Sequence, residues 1–348
     1  MNLHKTKIDW CSHTWNPVTG CLHGCDYCYA RKTALRFGLH PCEKPGKPPL
    51  EVLPKGSGLY YVEEPTKLYD EKGECVRSTP YPAGFAPTYH AYTMDYPKKR
   101  EIPSTVFVSS MGDLFGEWVP DIWIEDVFNA CFQAPWHTYL FLTKNPKRYA
   151  ELEENEELPA EWNFWYGATA ANAEQMGAAA DAMGDLPSIT KTFLSIEPLL
   201  EDITASPGWA KSMTGATAPY FDWLIIGGLT GGRKDQKPER AWVEKIVDFA
   251  RENDIPVFMK ENLAPAWGDN LIQEFPHDMP RPQEGKKLVP KCRECEHATA
   301  KPQGKRGTGY DCEIGWEAAG YDDRGARHVE AHQARTSPPW CPRRKGER

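Results

Sequence analysis

The chain has 348 residues, 40% of them apolar, and a formal net charge of −8. This length allows one large domain or two smaller ones, with a substantial core. The net negative charge argues against a broadly basic surface that binds duplex DNA. No apolar run reaches the ~18 residues of a membrane helix. The first ten residues lack the apolar core of a signal peptide, so we expect a soluble cytoplasmic protein that binds no membrane.

Strands and helices are predicted to alternate along the chain. A first strand precedes Cys21, and a helix begins at about Ala30. Helix 121–133 carries one apolar stripe, and helix 241–254 carries another. The later predicted strands are 104–110, 138–143, 162–170, 191–200, 221–232 and 255–262, and the other predicted helices are 145–155 and 172–185.

Continuous apolar strands that alternate with amphipathic helices are typical of a parallel sheet covered on both faces. About seven such units predict an α/β fold with a partial or complete (β/α) barrel over residues 1–285. An open doubly wound sheet is the alternative. The carboxyl ends of barrel strands carry the chemistry, and here they carry polar or glycine residues at 109–113, 143–145, 169–172, 197, 227–232 and 260–262.

Two regions depart from this alternation. Residues 39–103 are rich in Pro, Gly and Tyr, and short strands at 59–62 and 74–77 suggest a hairpin insert. We expect this insert near the barrel mouth, either as a lid or as a passive insertion. Residues 286–348 are polar, lack apolar periodicity and form a Cys-rich extension.

The 11 cysteines fall into clusters and single positions. In a cytoplasmic chain, clustered cysteines indicate metal or catalytic sites rather than disulfides. Cys21, Cys25 and Cys28 have the spacing C-x3-C-x2-C, and three thiolates so close can hold three corners of a [4Fe–4S] cluster. The fourth iron is then open to a small molecule; zinc or a purely electron-transferring cluster is the alternative. The scattered residues are expected to be buried small hydrophobes: Cys11, Cys42, Cys75 and Cys131.

The Cys-rich extension has four further thiols, at Cys292, Cys295, Cys312 and Cys341. Four sulfurs can close a zinc site or hold an auxiliary [4Fe–4S] cluster, and a histidine could replace a sulfur for zinc. The extension has too few apolar residues to fold alone, so a metal would stabilise it. Free thiols are the alternative. The candidate histidines are His297, His328 and His332.

The C-x3-C-x2-C loop, with aromatic Tyr27 before its third cysteine and at the first strand–helix junction, resembles the radical S-adenosylmethionine superfamily. The resemblance implies an enzyme in which the open iron binds S-adenosylmethionine. One-electron cleavage of the sulfonium then gives a 5′-deoxyadenosyl radical. It also implies an electron donor of the flavodoxin or ferredoxin type.

A narrower resemblance rests on five segments: IDWCSHTWNPVTGC…CDYCYA, VFVSSMGDLF, FLTKNPKRY, FLSIEPLL and DWLIIGGLTGG. Together they are similar to the phage-associated Gp37/Gp68-like proteins (DUF5131), over most of residues 7–262. This resemblance implies a link to the hypermodification of thymine in phage DNA.

The superfamily resemblance implies that the nucleoside is held at the ends of the middle strands. Asp113 lies where many relatives bind the methionyl amine, and Glu197 could bind ribose hydroxyls or orient a substrate. Helix caps, ordinary turns and salt bridges at the rim are the alternatives, and Lys260 could balance a rim carboxylate or meet an anionic substrate. The predicted cofactor-binding residues are Tyr27, Ser110, Asp113, Thr143, Lys144, Asn172, Glu197, Gly227 and Gly228.

We therefore expect radical chemistry on a nucleobase or nucleotide, with the isomerase, lyase or transferase subclass left open. Several aromatic residues could stack a base or belong to the core: Trp15, Tyr29, Trp118, Trp165 and Trp223. One alternative is a repair-type lyase on DNA lesions, which would use one of the scattered cysteines to quench a radical. The other is a non-catalytic, metal-stapled nucleic-acid-binding protein.

Overall fold

A computed structural model of the chain describes residues 3–40, 42–52, 54–213, 219–229 and 237–279, and the backbone of three short strands beyond residue 297. The chain divides into two compact units. The first comprises residues 1–100 and 104–283, and the second comprises residues 101–103 and 284–348.

The strands of the first unit are short and number fifteen in the described part of the chain. They are β1 (His4–Lys5), β2 (His13–Trp15), β3 (Val18–Thr19), β4 (Lys44–Pro45), β5 (Leu50–Glu51), β6 (Tyr60–Val62), β7 (Thr66–Tyr69), β8 (Cys75–Thr79), β9 (Thr88–His90), β10 (Thr105–Val108), β11 (Thr138–Thr143), β12 (Phe164–Thr169), β13 (Lys191–Ile196), β14 (Leu224–Ile226) and β15 (Val257–Met259). The helices are α1 (Tyr29–Phe37), α2 (Tyr96–Lys99), α3 (Asp121–Phe132), α4 (Lys147–Glu154), α5 (Ala173–Gly184), α6 (Pro207–Met213), α7 (Arg240–Glu252) and α8 (Ala264–Trp267).

The main sheet has eight strands in the order β1-β2-β10-β11-β12-β13-β14-β15. β1 is antiparallel to β2, and every other neighbouring pair is parallel. The parallel strands follow chain order, whereas a doubly wound sheet reverses its order at a switch point. Within the described residues β15 does not pair with β1, so the sheet is open there. A partial barrel of the radical S-adenosylmethionine type stays a prediction.

The two faces of this sheet build two apolar clusters. One face packs against the helices, with side chains such as Val106 and Phe141. The opposite face surrounds Trp10, whose ring lies 4.7 Å from the ring of Phe107 on β10 and 6.2 Å from that of Phe193 on β13. In a flat sheet these two strands would be about 14 Å apart. One indole in contact with both rings therefore indicates that the sheet curves around Trp10.

The predicted strands and helices of residues 104–262 are all present, most within a few residues of the expected bounds. The stripe of α3 is buried as predicted, except that Phe132 is 45% exposed and lies over Phe164 at the edge of the core. Helix α6 was not predicted, because its Pro-Gly start is typical of a turn. It packs against α5, where Gly208 approaches Gly177.

The insert contributes strands to two small sheets and contains the hairpins β5–β6 and β7–β8, but its two predicted strands belong to different sheets. β6 and β8 lie where strands were expected, but they do not pair with each other. β6 joins the sheet β3-β9-β6-β5, and β8 joins the sheet β4-β7-β8. Tyr61 stacks on Tyr89 at a ring distance of 5.6 Å, a long-range contact that strand propensity does not reveal.

In the second unit, three strands form an antiparallel sheet: β16 (Ala298–Pro302), β17 (Thr308–Cys312) and β18 (Arg327–Val329). No strand was predicted for these residues. Cys312 ends the central strand, opposite Ala298 and Arg327 in register.

Two of the four scattered cysteines are buried, and the other two are exposed. Cys11 and Cys131 are buried as predicted, but Cys42 and Cys75 are exposed, and for them the prediction is wrong. Both exposed cysteines lie on the insert, whose small sheets have little interior to cover a thiol. In the described residues, no helix is both long and apolar enough to span a membrane.

Candidate functional site

The cysteine loop begins where the backbone of β3 meets the loop after β10. Gly20 has a φ of +84°, and its N–H donates to Met111 O at 2.9 Å. A Cβ on Gly20 would collide with the carbonyl of Ala86, so only glycine fits this approach. Cys21 N donates to Phe85 O at 3.2 Å. The strand end and the insert therefore both position the first cysteine.

The three cysteines of the loop are free thiols that line one cavity. Cys28 is the N-cap of α1, and its Sγ accepts from Arg31 N at 3.3 Å. Cys25 O accepts from Cys28 N at 3.3 Å. Burial raises the pKa of the Cys21 thiol to about 12, so a metal that binds there must displace a proton.

The cavity has a volume of about 320 Å³ and lies at the carboxyl ends of the parallel strands. One wall is the cysteine loop, and the opposite wall comes from the ends of β10–β15. Aromatic rings contribute much of the apolar lining: Trp10, Tyr27, Tyr29, Phe85 and Phe107. Ile8, Leu142 and Leu229 add aliphatic surface. Such a mostly apolar cavity with a few polar groups is typical of a ligand site.

Asp113 joins the cysteine loop to two strand ends. Its Oδ2 accepts from His23 Nε2 at 2.8 Å and from Lys144 N at 3.0 Å. Its Oδ1 accepts from Thr143 Oγ1 at 2.8 Å and from Phe115 N at 3.0 Å. The carboxylate is 4% exposed and its acceptor sites are taken up by these donors. Asp113 is therefore a positioning residue, and the role predicted for it as a ligand of an amine finds no open acceptor.

Lys144 lies beside Tyr27 in the same cavity. Its Nζ is 3.3 Å from Tyr27 OH and 5.5 Å from the ring centroid. Burial lowers the pKa of Lys144, and burial followed by the charge of Cys25 raises the pKa of Tyr27 to about 12. This ammonium makes no ion pair closer than 4 Å with a described carboxylate, so it can meet an anionic group in the cavity.

Glu197 and Lys260 form an ion pair at the opposite wall. Lys260 Nζ lies 2.6 Å from Glu197 Oε1, and both side chains are about one-fifth exposed. Asn262 fixes the neighbouring glycine, because Gly228 N donates to Asn262 Oδ1 at 3.0 Å and Asn262 Nδ2 donates to Gly228 O at 2.8 Å. The pair matches the salt-bridge alternative for Glu197, which also lines the cavity.

The structure brings most of the predicted site residues together. The three cysteines line the cavity with Tyr27, Ser110, Asp113, Thr143, Lys144, Glu197 and Gly228. Asn172 does not line it: its side chain caps α5 by accepting from Gln175 N at 2.9 Å. Gly227 also lies outside the lining, with its N–H donating to Ile196 O.

The aromatic residues that could stack a base or belong to the core have different places. Trp15, Trp165 and Trp223 are fully buried in the core, which is the core alternative. Trp118 packs edge-on against His23, with ring centroids 4.9 Å apart. Tyr29 lines the cavity and donates its hydroxyl to Ser110 O at 2.6 Å.

Sequence reasoning missed several residues of the cavity. His23 lies between the first two cysteines, and this position could have identified it as a site residue. Ser195 lies just before the end of β13, and strand position would have favoured it. Tertiary structure places Trp10 and Phe85 at the cavity, and nothing in their local sequence predicts this.

In the described residues, no three His, Cys, Asp or Glu side chains converge on a single metal position. A [4Fe–4S] cluster has a different requirement, because each thiolate binds its own iron and the ligands stay apart. Cys21, Cys25 and Cys28 line one cavity as separate free thiols and are the residues that would hold such a cluster. The predicted second metal site lies outside the described residues, which exclude Cys292, Cys295 and Cys341 and the side chain of Cys312.

The fold and the site define an α/β protein with a cysteine-lined cavity at the carboxyl edge of its parallel strands. The family model for a protein of unknown function (DUF5131) matches residues 5–311, so the chain belongs to the DUF5131 family. The match covers the main sheet from Lys5 onward and the cysteine loop. No curated protein and no solved structure matches the chain.

Proposed function

We propose that this protein is a radical S-adenosylmethionine enzyme. The observation that carries the proposal is that Cys21, Cys25 and Cys28 line one wall of a 320 Å³ cavity whose other walls come from the strand ends. Three thiolates beside open space suit a [4Fe–4S] cluster with one exchangeable corner. When bound, such a cluster supplies the electron that cleaves S-adenosylmethionine into methionine and a 5′-deoxyadenosyl radical.

The chain's own residues hold and enclose the reactants. Asp113 fixes His23 and the ends of β10 and β11, and so sets the position of the cysteine loop. The ammonium groups of Lys144 and Lys260 can meet carboxylate or phosphate oxygens. The rings of Trp10 and Phe107 close the floor of the cavity against water, which protects a reactive species from side reactions.

We propose a nucleobase or nucleotide as the substrate, in free form or in phage DNA, to be modified or rearranged. Tyr27, Tyr29 and Phe85 line the cavity with faces or edges of aromatic rings, against which a planar base can pack. The repair-lyase alternative needs a quenching thiol at the cavity. Among the described residues, the cavity is lined by no cysteine besides those of the loop.

Anaerobic reconstitution with iron and sulfide tests the chemistry. The wild-type chain should gain an iron–sulfur absorption, and S-adenosylmethionine should shift the electron paramagnetic resonance (EPR) signal of the reduced cluster. Reduction should then release 5′-deoxyadenosine. Cys25→Ser should lose roughly four irons per chain together with this product. Cys42→Ser, an exposed thiol outside the loop, is the matched control and should behave as wild type.

Zinc in place of iron at the loop, or a full cluster without S-adenosylmethionine cleavage, would contradict the proposal. A screen of base-modified nucleosides against base-modified duplex DNA then addresses the substrate. The product to measure is the modified base, or deuterium transferred from labelled substrate to 5′-deoxyadenosine. Transfer from a duplex substrate alone would identify DNA as the form that the enzyme uses.

A further inference from the structure

Helix α1 has an outer face that combines cations with large apolar side chains. Lys32, Leu35 and Arg36 follow the i, i+3, i+4 spacing of one helix face, and all three are exposed. Leu35 is 64% exposed. The opposite face buries Ala30 and Ala34. The larger apolar side chain of this helix therefore faces solvent while its small ones face the core, so α1 is a candidate binding surface if further exposed apolar groups accompany Leu35.

Further exposed apolar side chains precede and follow this helix face in the chain. Leu22 is 56% exposed, Phe37 is 48% exposed and Leu39 is 42% exposed. We call these three residues together with Lys32, Leu35 and Arg36 the α1 surface. It starts beside the cysteine loop, because Leu22 follows Cys21 directly in the chain and Cys28 is the N-cap of α1.

The charge of the α1 surface is opposite to that of the chain as a whole. Between residues 21 and 40 the sequence has three cations, Arg31, Lys32 and Arg36, and one carboxylate, Asp26. The whole chain has a net charge of −8. An acidic protein approaching this chain would therefore be repelled by most of its surface and attracted to this part of it.

We propose that the α1 surface docks an acidic one-electron carrier of the flavodoxin class. This inference rests on the proposed function, in which each cleavage consumes one electron. The reduced carrier would lose that electron to the iron–sulfur centre held by Cys21, Cys25 and Cys28, and would leave oxidised by one electron. Lys32 and Arg36 steer the carrier by charge, and Leu22, Leu35 and Phe37 supply the apolar contact at the centre of the interface.

Two other occupants fit the α1 surface less well. A DNA backbone is recognised by many phosphate contacts, whereas this surface offers two cations and four large apolar groups. A second copy of the chain would bring another acidic protein, but it would also bring the same basic surface to the contact. Both are treated as outcomes of the test.

The test compares charge-reversed and apolar variants with matched controls. Lys32→Glu/Arg36→Glu changes two charges of the α1 surface, and Lys147→Glu/Lys211→Glu changes two exposed lysines on other helices. Leu35→Ser is paired with Ile122→Ser on α3, where Ile122 is 57% exposed. None of these residues lines the cavity. Each reconstituted full-length variant is assayed with an enzymatically reduced flavodoxin and, separately, with dithionite.

With flavodoxin as the donor, the α1 variants should release 5′-deoxyadenosine at least roughly tenfold more slowly than wild type, and binding should weaken as salt rises. With dithionite they should match wild type, and the control variants should match it with both donors. Equal rates for the α1 variants and wild type with flavodoxin would overturn the docking site.

The two proposals fail in different ways. If dithionite supports no cleavage in the wild-type chain, the proposed function is wrong, and flavodoxin titration of the same proteins still measures docking. If the α1 variants instead lose affinity for duplex DNA, or change the sedimentation of the chain from dimer to monomer, while flavodoxin binding is unchanged, the surface belongs to that occupant and the inference is wrong.

Discussion

Asp113 shows that strand position can predict a residue's place in the site without predicting its contacts. Its place after a central strand predicted a ligand, and it does line the cavity. The structure nevertheless uses both of its oxygens to hold His23, Thr143 and the backbone of the next loop. A buried carboxylate with this many donors costs several kcal/mol to disturb. Its contribution to the site is therefore the position of the cysteine loop.

Two glycines of the cysteine loop provide a matched test of that positioning. Gly20 and Gly24 both have positive φ, +84° and +74°. A Cβ on Gly20 would collide with the backbone of Ala86, whereas a Cβ on Gly24 meets no atom within 4 Å. Gly24→Ala should cost about 1 kcal/mol of conformational strain. Gly20→Ala should cost at least about 3 kcal/mol, because backbone must move as well.

The measurements are chemical unfolding of each variant and the iron content after reconstitution. Gly20→Ala should lose iron from the loop because Cys21 is displaced, and Gly24→Ala should retain most of it. Equal destabilisation by the two substitutions would show that conformation alone, and not the contact with Ala86, requires the glycine.

The secondary structure was predictable wherever a pattern is local. β11 has the predicted bounds, residues 138–143, because a continuous run of apolar residues is bounded by polar ones. The partner of β6 was not predictable, because β9 lies far from it in the chain. β8 pairs with β7 across a short turn, but the run that forms β7 was not predicted to be a strand. The same holds for the site. Strand ends indicated Ser110 and Glu197, but the helix cap formed by Asn172 looks identical in sequence to a ligand at a strand end.

The contact between α5 and α6 makes a prediction from two further glycines. Gly177 lies inside α5 and a Cβ on it would meet no atom within 4 Å, so Gly177→Ala should stabilise the helix by about 1 kcal/mol. A Cβ on Gly208 of α6 would lie 2.6 Å from Gly177 Cα. Gly208→Ala should therefore separate the helices and destabilise the protein by about 1–3 kcal/mol. Denaturant midpoints of the two variants test this; a gain from Gly208→Ala would show that α6 moves freely.

The curved sheet explains why one cavity collects residues from most of the first unit. Parallel strands in chain order place all their carboxyl ends at one edge of the sheet. The curvature of the sheet around Trp10 brings the ends of distant strands toward one another. Lys144 and Lys260 can then share a cavity although they follow strands that are four positions apart in the sheet. The cysteine loop, which precedes most of these strands in the chain, lines the cavity at this edge. The composition of the cavity thus depends on the curvature of the whole sheet, which separate sequence motifs do not predict.

Three buried histidines predict that the folded chain is sensitive to acid. Burial lowers the pKa of His13 to about 4, of His90 to about 3 and of His137 to about 4. An unfolded chain protonates its histidines near pH 6.5, so it binds more protons than the folded chain between about pH 6.5 and 4. Stability should therefore be constant above about pH 7 with respect to these groups and should fall as the pH drops through that window.

Each fully titrating histidine contributes up to about 1.4 kcal/mol per pH unit to this slope. His137 is fully buried and its Nε2 lies 3.0 Å from Pro97 O, so His137→Gln keeps a donor there and removes the titration. Urea unfolding at pH 7.5, 6.0 and 5.0 should show a shallower slope for this variant, whatever its absolute stability. An unchanged slope in His137→Gln would mean that His137 takes up its proton without unfolding, and that the acid sensitivity has to come from other groups.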